Sequence, residues 1–202
     1  MYFRKTRFNP DRNLQAYVIG LAIGDGNLSN PNRRAVRLRI TCDKKYPILL
    51  KKIKTSIHLL LPQNKVSTVD RKGCVDISVF SNHLEKILGW YSKGGSKFIQ
   101  NVSIPNWIKE SDNYKINCLK GLIETDGSIY FDRGYKMVMF STIIPKLAAD
   151  TVEIIKSLGF YPHLYKIERK NNKYNFNQQP IYRIRISKNV TDFLDLIKPE
   201  KI

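Results

Sequence analysis

Hydrophobic and polar residues follow two alternating periods along this chain. Apolar side chains three and four positions apart predict a helix over residues 10–26, with Asp11 as a candidate cap at its start. Residues 35–41 then change to a period of two, in which Arg37 and Arg39 lie on one side and apolar residues on the other. This alternation predicts a strand with one buried face and one basic face.

The other elements of the first half follow from the same periods and from the turn residues between them. Pro62 ends a second helix, and Arg71, Lys72 and Gly73 supply the turn of a hairpin. The polar segment 27–32 is expected to be a turn. The predicted elements are helix 10–26, strand 35–41, helix 43–61, strands 65–70 and 74–80, and a short helix 82–90.

The second half follows the same plan, with two strands between its first two helices where the periods of the first half show one. Its predicted elements are helix 113–125, strands 128–132 and 135–141, helix 145–158, strands 163–169 and 181–187, and a last helix capped by Asn189. Residues 170–180, rich in Asn and Gln, are expected to form a mobile loop. We therefore interpret each half as helix, two strands, helix, two strands, helix.

Residues 91–112 break both periods and are interpreted as a connector. The predicted organisation is a first repeat over residues 1–90 and a second over residues 113–202. Trp107 and Ile108 are expected to anchor the connector to the core.

A sequence repeat supports this division. Residues 18–26 read VIGLAIGDG and residues 119–127 read LKGLIETDG, at an offset of 101 positions. Each stretch has two small residues four apart, which share one helix face and allow two helix backbones to approach closely. These small residues are Gly20, Gly24, Gly121 and Thr125.

Both stretches end in Asp-Gly, at Asp25 and Asp126. A single Asp-Gly is most simply a turn at a helix end, but two copies in the same apolar frame favour a functional role. If the two helices pack together, the carboxylates lie side by side and repel each other. Divalent cations would neutralise them, and a set of oxygen ligands suits Mg²⁺, which can promote attack on a phosphate.

The charge of the chain indicates nucleic acid as a partner. Lys and Arg number 35 against 17 Asp and Glu, which gives a net charge of +18 and a pI near 9.9. Solubility alone is the alternative explanation. No apolar run approaches the roughly 18 residues of a membrane span, and the first ten residues have no apolar signal core.

The cysteines and histidines do not indicate a metal site. Cys42, Cys74 and Cys118 are an odd number without CxxC spacing, and the three histidines form no HExxH group or triad. We interpret all six as core or surface residues, and expect an intracellular protein in a reducing compartment.

The two stretches resemble the motifs of a LAGLIDADG homing endonuclease of the single-chain, two-motif kind, and the order of elements in both halves and the total length match as well. The resemblance implies an α+β fold with two pseudo-symmetric α-β-β-α-β-β-α halves. Each half would contribute a four-stranded antiparallel sheet to a DNA-binding saddle. The resemblance also implies that Asp25 and Asp126 bind the catalytic metals, with help from the carbonyls of Gly24 and Thr125.

The same resemblance implies a site-specific, metal-dependent double-strand break at a long DNA target. Mg²⁺ would be the cofactor, Mn²⁺ could substitute, and Ca²⁺ would support binding without cleavage. The chain would act as a monomer on double-stranded DNA. The candidate DNA contacts are the basic residues on or beside predicted strands: Arg33, Arg34, Arg37, Arg39, Lys65, Arg71, Lys72, Arg133, Lys136, Lys166, Arg169, Arg183 and Arg185.

Some positions depart from the family pattern. The residues that order the active-site water are expected at the end of the second strand of each half, near Cys42 and Asp43 or near Ser141 and Thr142. Relatives often have a basic residue after the fourth strand, and Lys188 is the candidate for this catalytic cation in the second half. The first half has no cation at that place, so we hypothesise unequal cleavage of the two strands. Equal nicking rates on a supercoiled target would contradict this hypothesis.

Two alternatives remain at the level of sequence. An RNA-binding maturase that acts on its own intron would use the same basic sheets, but it would not need two mutually repelling carboxylates. A transcription regulator on this fold is expected to carry an added helix-turn-helix domain, and five residues follow Ile197.

Overall fold

The computed structural model describes residues 11–169 and 178–201. The first half contains α1 (Arg12–Asp25), β1 (Gly26–Ser29), β2 (Arg37–Asp43), α2 (Pro47–Leu60), β3 (Ser67–Asp70), β4 (Cys74–Phe80) and α3 (Leu84–Leu88). After a 3-10 helix at Asn106–Glu110, the second half contains α4 (Asp112–Thr125), β5 (Gly127–Asp132), β6 (Tyr135–Thr142), α5 (Pro145–Ser157), β7 (His163–Ile167), β8 (Ile181–Ile186) and α6 (Val190–Ile197).

Each half contributes one four-stranded antiparallel sheet. The strand orders are β1-β2-β4-β3 and β5-β6-β8-β7, and the two registers correspond, because Gly26 pairs with Ile40 and Gly127 pairs with Phe140. This confirms the predicted α+β class and its two equivalent halves.

The sheets are amphipathic, as the period of two predicts. In β2, Leu38 and Ile40 are fully buried, whereas Arg37 and Arg39, which alternate with them, are partly exposed on the opposite face. The same alternation occurs in β8. The helices therefore cover one face of each sheet and leave the other face open.

Helices α1 and α4 pack so closely that their backbones touch. A Cβ atom at Gly20 would overlap the carbonyl oxygen of Cys118, and one at Gly121 would lie 2.5 Å from the carbonyl oxygen of Tyr17. A Cβ atom at Gly24 would overlap the side chain of Thr125. The small residues of the repeat therefore lie at this helix contact, as predicted.

Three local predictions were inexact. Segment 27–32 was predicted as a turn, but its first residues belong to β1, a strand too short to establish a period. Helix α2 begins at Pro47 rather than Asp43, because Asp43 still pairs with Cys74 in the sheet. Asn189 has a left-handed backbone (φ 51°) and makes no side-chain capping bond to α6.

Trp107 and Ile108 were predicted to anchor the connector, and residues 170–180 to form a mobile loop. Ile108 is fully buried, and Trp107 packs edge-on against Tyr114 with ring centroids 5.5 Å apart, so both residues join the connector to the core. Of the loop predicted as mobile, residues 170–177 lie outside the described residues. Within the described part of the chain, no helix is long and apolar enough to cross a membrane.

Gly20→Ala should destabilise the protein by about 2 kcal/mol, because the added methyl meets backbone rather than a movable side chain. The sign is diagnostic, since Gly→Ala inside an ordinary helix stabilises by up to about 1 kcal/mol. Urea unfolding measures the difference. Thr55→Ala, at an exposed position of α2, is the control and should change stability little. A Gly20→Ala protein as stable as the wild type would contradict the close contact.

Candidate active site

The two motif aspartates lie where the central helices end. Asp25 is the last residue of α1 and Asp126 is the C-cap of α4, and each precedes the glycine that begins a strand. A Cβ atom at Gly24 would be 3.5 Å from Oδ2 of Asp126, so the carboxylate of the second half lies against the backbone of the first. The close contact of α1 and α4 therefore brings both carboxylates into one site.

This position is electrostatically costly. The C-terminus of a helix carries partial negative charge, and here two such ends and two carboxylates meet. Protein atoms displace water around both groups and raise the pKa of Asp25, against the charges of Lys201 and Lys97. Burial and then the neighbouring charge of Asp25 raise the pKa of Asp126 to about 6. Both residues nevertheless retain solvent-exposed surface, so the site is open to ligands.

Two lysines supply positive charge to the helix ends. Nζ of Lys97, in the connector, donates to the carbonyl oxygens of Ala22 (3.3 Å), Ile23 (2.5 Å) and Gly24 at the end of α1. Nζ of Lys201, after α6, donates to the carbonyl oxygens of Thr125 (2.7 Å) and Gly127 (2.9 Å).

Both lysines are themselves affected by the site. Burial lowers the pKa of Lys97 and of Lys201, while the charges of Asp25 and Asp126 oppose that shift. Each half therefore places one lysine beside the end of its own motif helix. The two ammonium groups offset part of the negative charge of the aspartates and of the helix ends.

The donor atoms at this site fit a hard divalent cation. Two carboxylates and the carbonyl oxygens of Gly24 and Thr125 are all oxygen ligands, the type that Mg²⁺ binds while it keeps several waters. Within residues 11–169 and 178–201, no cluster of three or more His, Cys, Asp and Glu side chains offers another metal site. The ammonium groups of Lys97 and Lys201 donate to the same two carbonyl oxygens.

The tail after α6 is held in place by a buried network. Tyr17 donates a 2.5 Å hydrogen bond to Glu124, and the backbone N–H of Glu200 donates to the other carboxylate oxygen at 2.8 Å. The side chain of Glu200 forms a 2.6 Å ion pair with Lys52 of α2. Because these bonds fix Glu200, they also position Lys201. Glu124, the other acidic residue of the second motif, is thus used for structure.

A cleft of about 400 Å³ opens beside Asp126. Lys97, Ser141, Thr142 and Arg169 are among its lining residues. Ser141 and Thr142 end β6, so the second-half neighbourhood predicted to order water does border the site.

The equivalent strand end of the first half has different chemistry. Burial raises the pKa of the Cys42 thiol to about 11, so this side chain is a neutral thiol at physiological pH. Asp43 accepts a 2.9 Å hydrogen bond from the backbone of Lys45. Thr41 donates to Asp76 at 2.6 Å.

The structure does not bring Lys188 to the aspartates. It is exposed and follows β8 at the end of the sheet opposite to the end where β6 reaches the cleft. Sequence reasoning placed the cation directly after the fourth strand and missed Lys97 and Lys201. A shared signal was available, since both lysines follow the last helix of their half.

The arginines of the central strands lie as predicted. Arg37 and Arg39 share the open face of the first sheet, and Arg183 and Arg185 share that of the second. Seven further predicted contacts are exposed at turns and strand ends: Arg33, Arg34, Lys65, Arg71, Lys72, Arg133 and Arg169.

Two predicted contacts lie on the wrong side of the second sheet. Lys136 pairs with Phe131 and has the same parity as buried Val138, so it lies on the helix-covered face. Lys166 pairs with Tyr182, also on that face, and forms a 2.6 Å ion pair with Glu168. Residues near strand ends show no clear period of two. The sequence therefore did not indicate whether Lys136 and Lys166 lie on the open face or on the helix-covered face of the sheet.

Comparisons with known proteins agree with this geometry. Residues 113–198 match the family model of the LAGLIDADG-like domain. The fold is similar to a mesophilic variant of the homing endonuclease I-DmoI (TM-score 0.65, 17% identity, 92% of this chain and 95% of that chain). It is also similar to I-DmoI in complex with DNA and Mn (0.64, 17%, 94% and 97%) and to the N-terminal LAGLIDADG domain of DUF199/WhiA (0.57, 13%, 96% and 86%). No curated protein matches the chain.

Residues 113–198 therefore match a LAGLIDADG-like domain, and the chain shares its two-half fold with these solved structures.

Asp126→Asn should stabilise the protein in EDTA at about pH 8 by a few degrees in Tm, because it removes a carboxylate that is penalised by burial and then by the charge of Asp25. The pKa of Asp126 is about 6 in the folded chain against an ordinary 3.8, so the folded state binds the extra proton and loses stability as pH rises through this range. The gain should therefore shrink as pH falls toward 4.

Thermal unfolding in EDTA tests this expectation. Asp132→Asn, at the exposed end of β5, is the matched control and should show no such pH dependence. Mg²⁺ should raise the Tm of the wild type more than that of Asp126→Asn. An Asp126→Asn protein that is less stable than the wild type at about pH 8 would contradict the proposed repulsion.

Proposed function

We propose that this protein is a homing endonuclease that makes a metal-dependent double-strand break at a long, specific DNA site. The observation that carries the proposal is the pair Asp25 and Asp126, held together at two helix ends although they repel each other. A protein that only bound nucleic acid would gain nothing from this costly pair. The open, arginine-bearing faces of the two sheets support DNA as the substrate.

Each part of the site has a distinct task in this reaction. Asp25 and Asp126, with the carbonyls of Gly24 and Thr125, would hold divalent cations between the halves. Bound there, Mg²⁺ would supply an activated water and stabilise the leaving oxygen of the phosphodiester. The ammonium groups of Lys97 and Lys201 would offset negative charge on the scissile phosphates.

Lys97 and Lys201 also compensate the negative helix ends directly. Their ammonium groups donate to the carbonyl oxygens of Gly24 and Thr125, which places both positive charges where the DNA backbone would lie during cleavage.

We further propose that Mg²⁺ is the usual cofactor, that Mn²⁺ can replace it, and that Ca²⁺ supports binding without cleavage. The protein would act as a monomer, since its two halves already supply both carboxylates. It would work inside the cell on an intron-associated DNA target. An RNA maturase role would use the same faces but would not depend on Asp25 and Asp126.

Selection of cleaved sites from a randomised DNA library with Mg²⁺ tests the proposed activity and defines the target. On that target, Asp25→Asn and Asp126→Asn should each abolish double-strand cleavage, because each removes a metal-binding charge. Binding in Ca²⁺ should stay largely intact. A single mutant that cuts both strands at the wild-type rate would show that the metal assignment is wrong.

Lys97→Met should lower the cleavage rate by about 10²-fold, because it removes a positive charge from the site. Lys201→Met should also lower the rate. Lys188→Met is the matched control and should cleave like the wild type, since Lys188 is exposed and distant from the aspartates. Binding in Ca²⁺ and Tm, measured in parallel, separate a loss of chemistry from a loss of structure. If Lys188→Met alone lowered the cleavage rate, Lys188 rather than Lys97 or Lys201 would be the catalytic cation.

A further inference from the structure

The open faces of the two sheets can be compared position by position, because the halves have the same register. Gly26 with Ile40 corresponds to Gly127 with Phe140. When residues are counted from these pairs, the open-face residues of β2 and β6 differ sharply. Arg37 and Arg39 of β2 correspond to Met137 and Met139 of β6, and Ser29 of β1 corresponds to Tyr130 of β5.

Strands β4 and β8, which lie beside β2 and β6, differ in the opposite sense, because here the second sheet carries the arginines. Asp76 pairs with Thr41, as Arg183 pairs with Ser141, and Ser78 pairs with Arg39, as Arg185 pairs with Met139. The arginines are thus on β2 in the first sheet and on β8 in the second.

The first sheet holds a polar network on its open face. Asp76 is only 4% exposed although it lies on this face. It accepts hydrogen bonds from Thr41 at 2.6 Å and from Nε of Arg71 at 2.5 Å. These bonds hold the polar groups in fixed orientations, which direct hydrogen bonding to base edges requires.

The second sheet is apolar at the corresponding positions. Met137 and Tyr130 pair across β5 and β6, and both are partly exposed on the open face. Tyr165 of β7 lies under the guanidinium of Arg185, 5.7 Å from the ring centroid. Nε of Arg185 is buried and has no hydrogen-bond partner among the described residues.

The thioether of methionine has no donor for guanine O6 and N7, and a tyrosine hydroxyl lacks the two parallel N–H donors with which arginine binds both atoms. In the major groove both side chains make apolar contacts, and the C5-methyl group of thymine is the apolar group displayed there. We propose that β5 and β6 recognise thymine methyl groups in one half of the target, whereas Arg37 and Arg39 recognise guanines in the other half. This inference rests on the proposed function, since it concerns how the same DNA is read.

Replacement of thymine by deoxyuridine tests the methyl contacts directly, because it removes the C5-methyl and leaves base pairing unchanged. A target is first selected by binding in Ca²⁺, so that the test does not depend on cleavage. Arg37→Ala then identifies the half-site of the first sheet as the one whose base preference weakens. Deoxyuridine is substituted separately in each half-site, and the affinity of the wild type is measured.

We expect deoxyuridine in the half-site of the second sheet to weaken binding about threefold to fivefold for each contacted thymine. The same replacement in the other half-site should have little effect. The double variant Met137→Ala with Met139→Ala should lose this methyl dependence. Leu164→Ala, an exposed apolar change on the opposite face of the same sheet, is the matched control and should retain it.

The possible failures are distinguishable. A specific target that is bound but not cut in Mg²⁺ would overturn the proposed nuclease activity while the methyl test still proceeds. Equal or absent deoxyuridine effects in the two half-sites, or a selected half-site without thymine, would overturn the inference alone. If no DNA sequence is preferred at all, both proposals are wrong.

Discussion

The rest of this structure depends on the backbone contact between α1 and α4. Gly20 and Gly121 permit it, because any larger residue would place atoms inside the neighbouring backbone. The contact fixes the two halves relative to each other and sets both helix ends at one point. It also creates the main electrostatic problem of the molecule, since two negative helix ends and two carboxylates then share that point.

The chain meets this problem with charges from outside the repeated motif. Lys97 comes from the connector and Lys201 from the tail, and each donates to the end of the motif helix in its own half. Lys201 is positioned by Glu200, whose backbone is bonded to Glu124 and whose side chain is paired with Lys52. Segments that look like simple linkers in the sequence are thus part of the site. Buried contacts hold these segments in place, so both ammonium groups stay beside the helix ends.

Local periods and the repeated motif were sufficient to predict the order of elements, the central helix contact and the pair Asp25 and Asp126. What could not be predicted depends on distance in space rather than in sequence. Lys97 lies more than 70 positions from the first carbonyl it binds, and no period connects them. Lys188 was chosen by analogy of sequence position, but the direction of β8 carries it away from the site. Lys136 and Lys166 were misplaced because strand ends lack a clear alternation.

The same constraint explains how one scaffold can carry two different faces. Close packing limits which side chains can lie between α1 and α4 and on the helix-covered sides of the sheets. It does not limit the choice of side chains on the open faces, where substitution alters neither the core nor the register. Arg39 and Met139 can therefore occupy equivalent backbone positions at no cost to the fold. A nearly symmetric pair of carboxylates would then act on a target whose two halves are recognised by different chemistry, since the interactions that hold the aspartates together are separate from those that face the DNA.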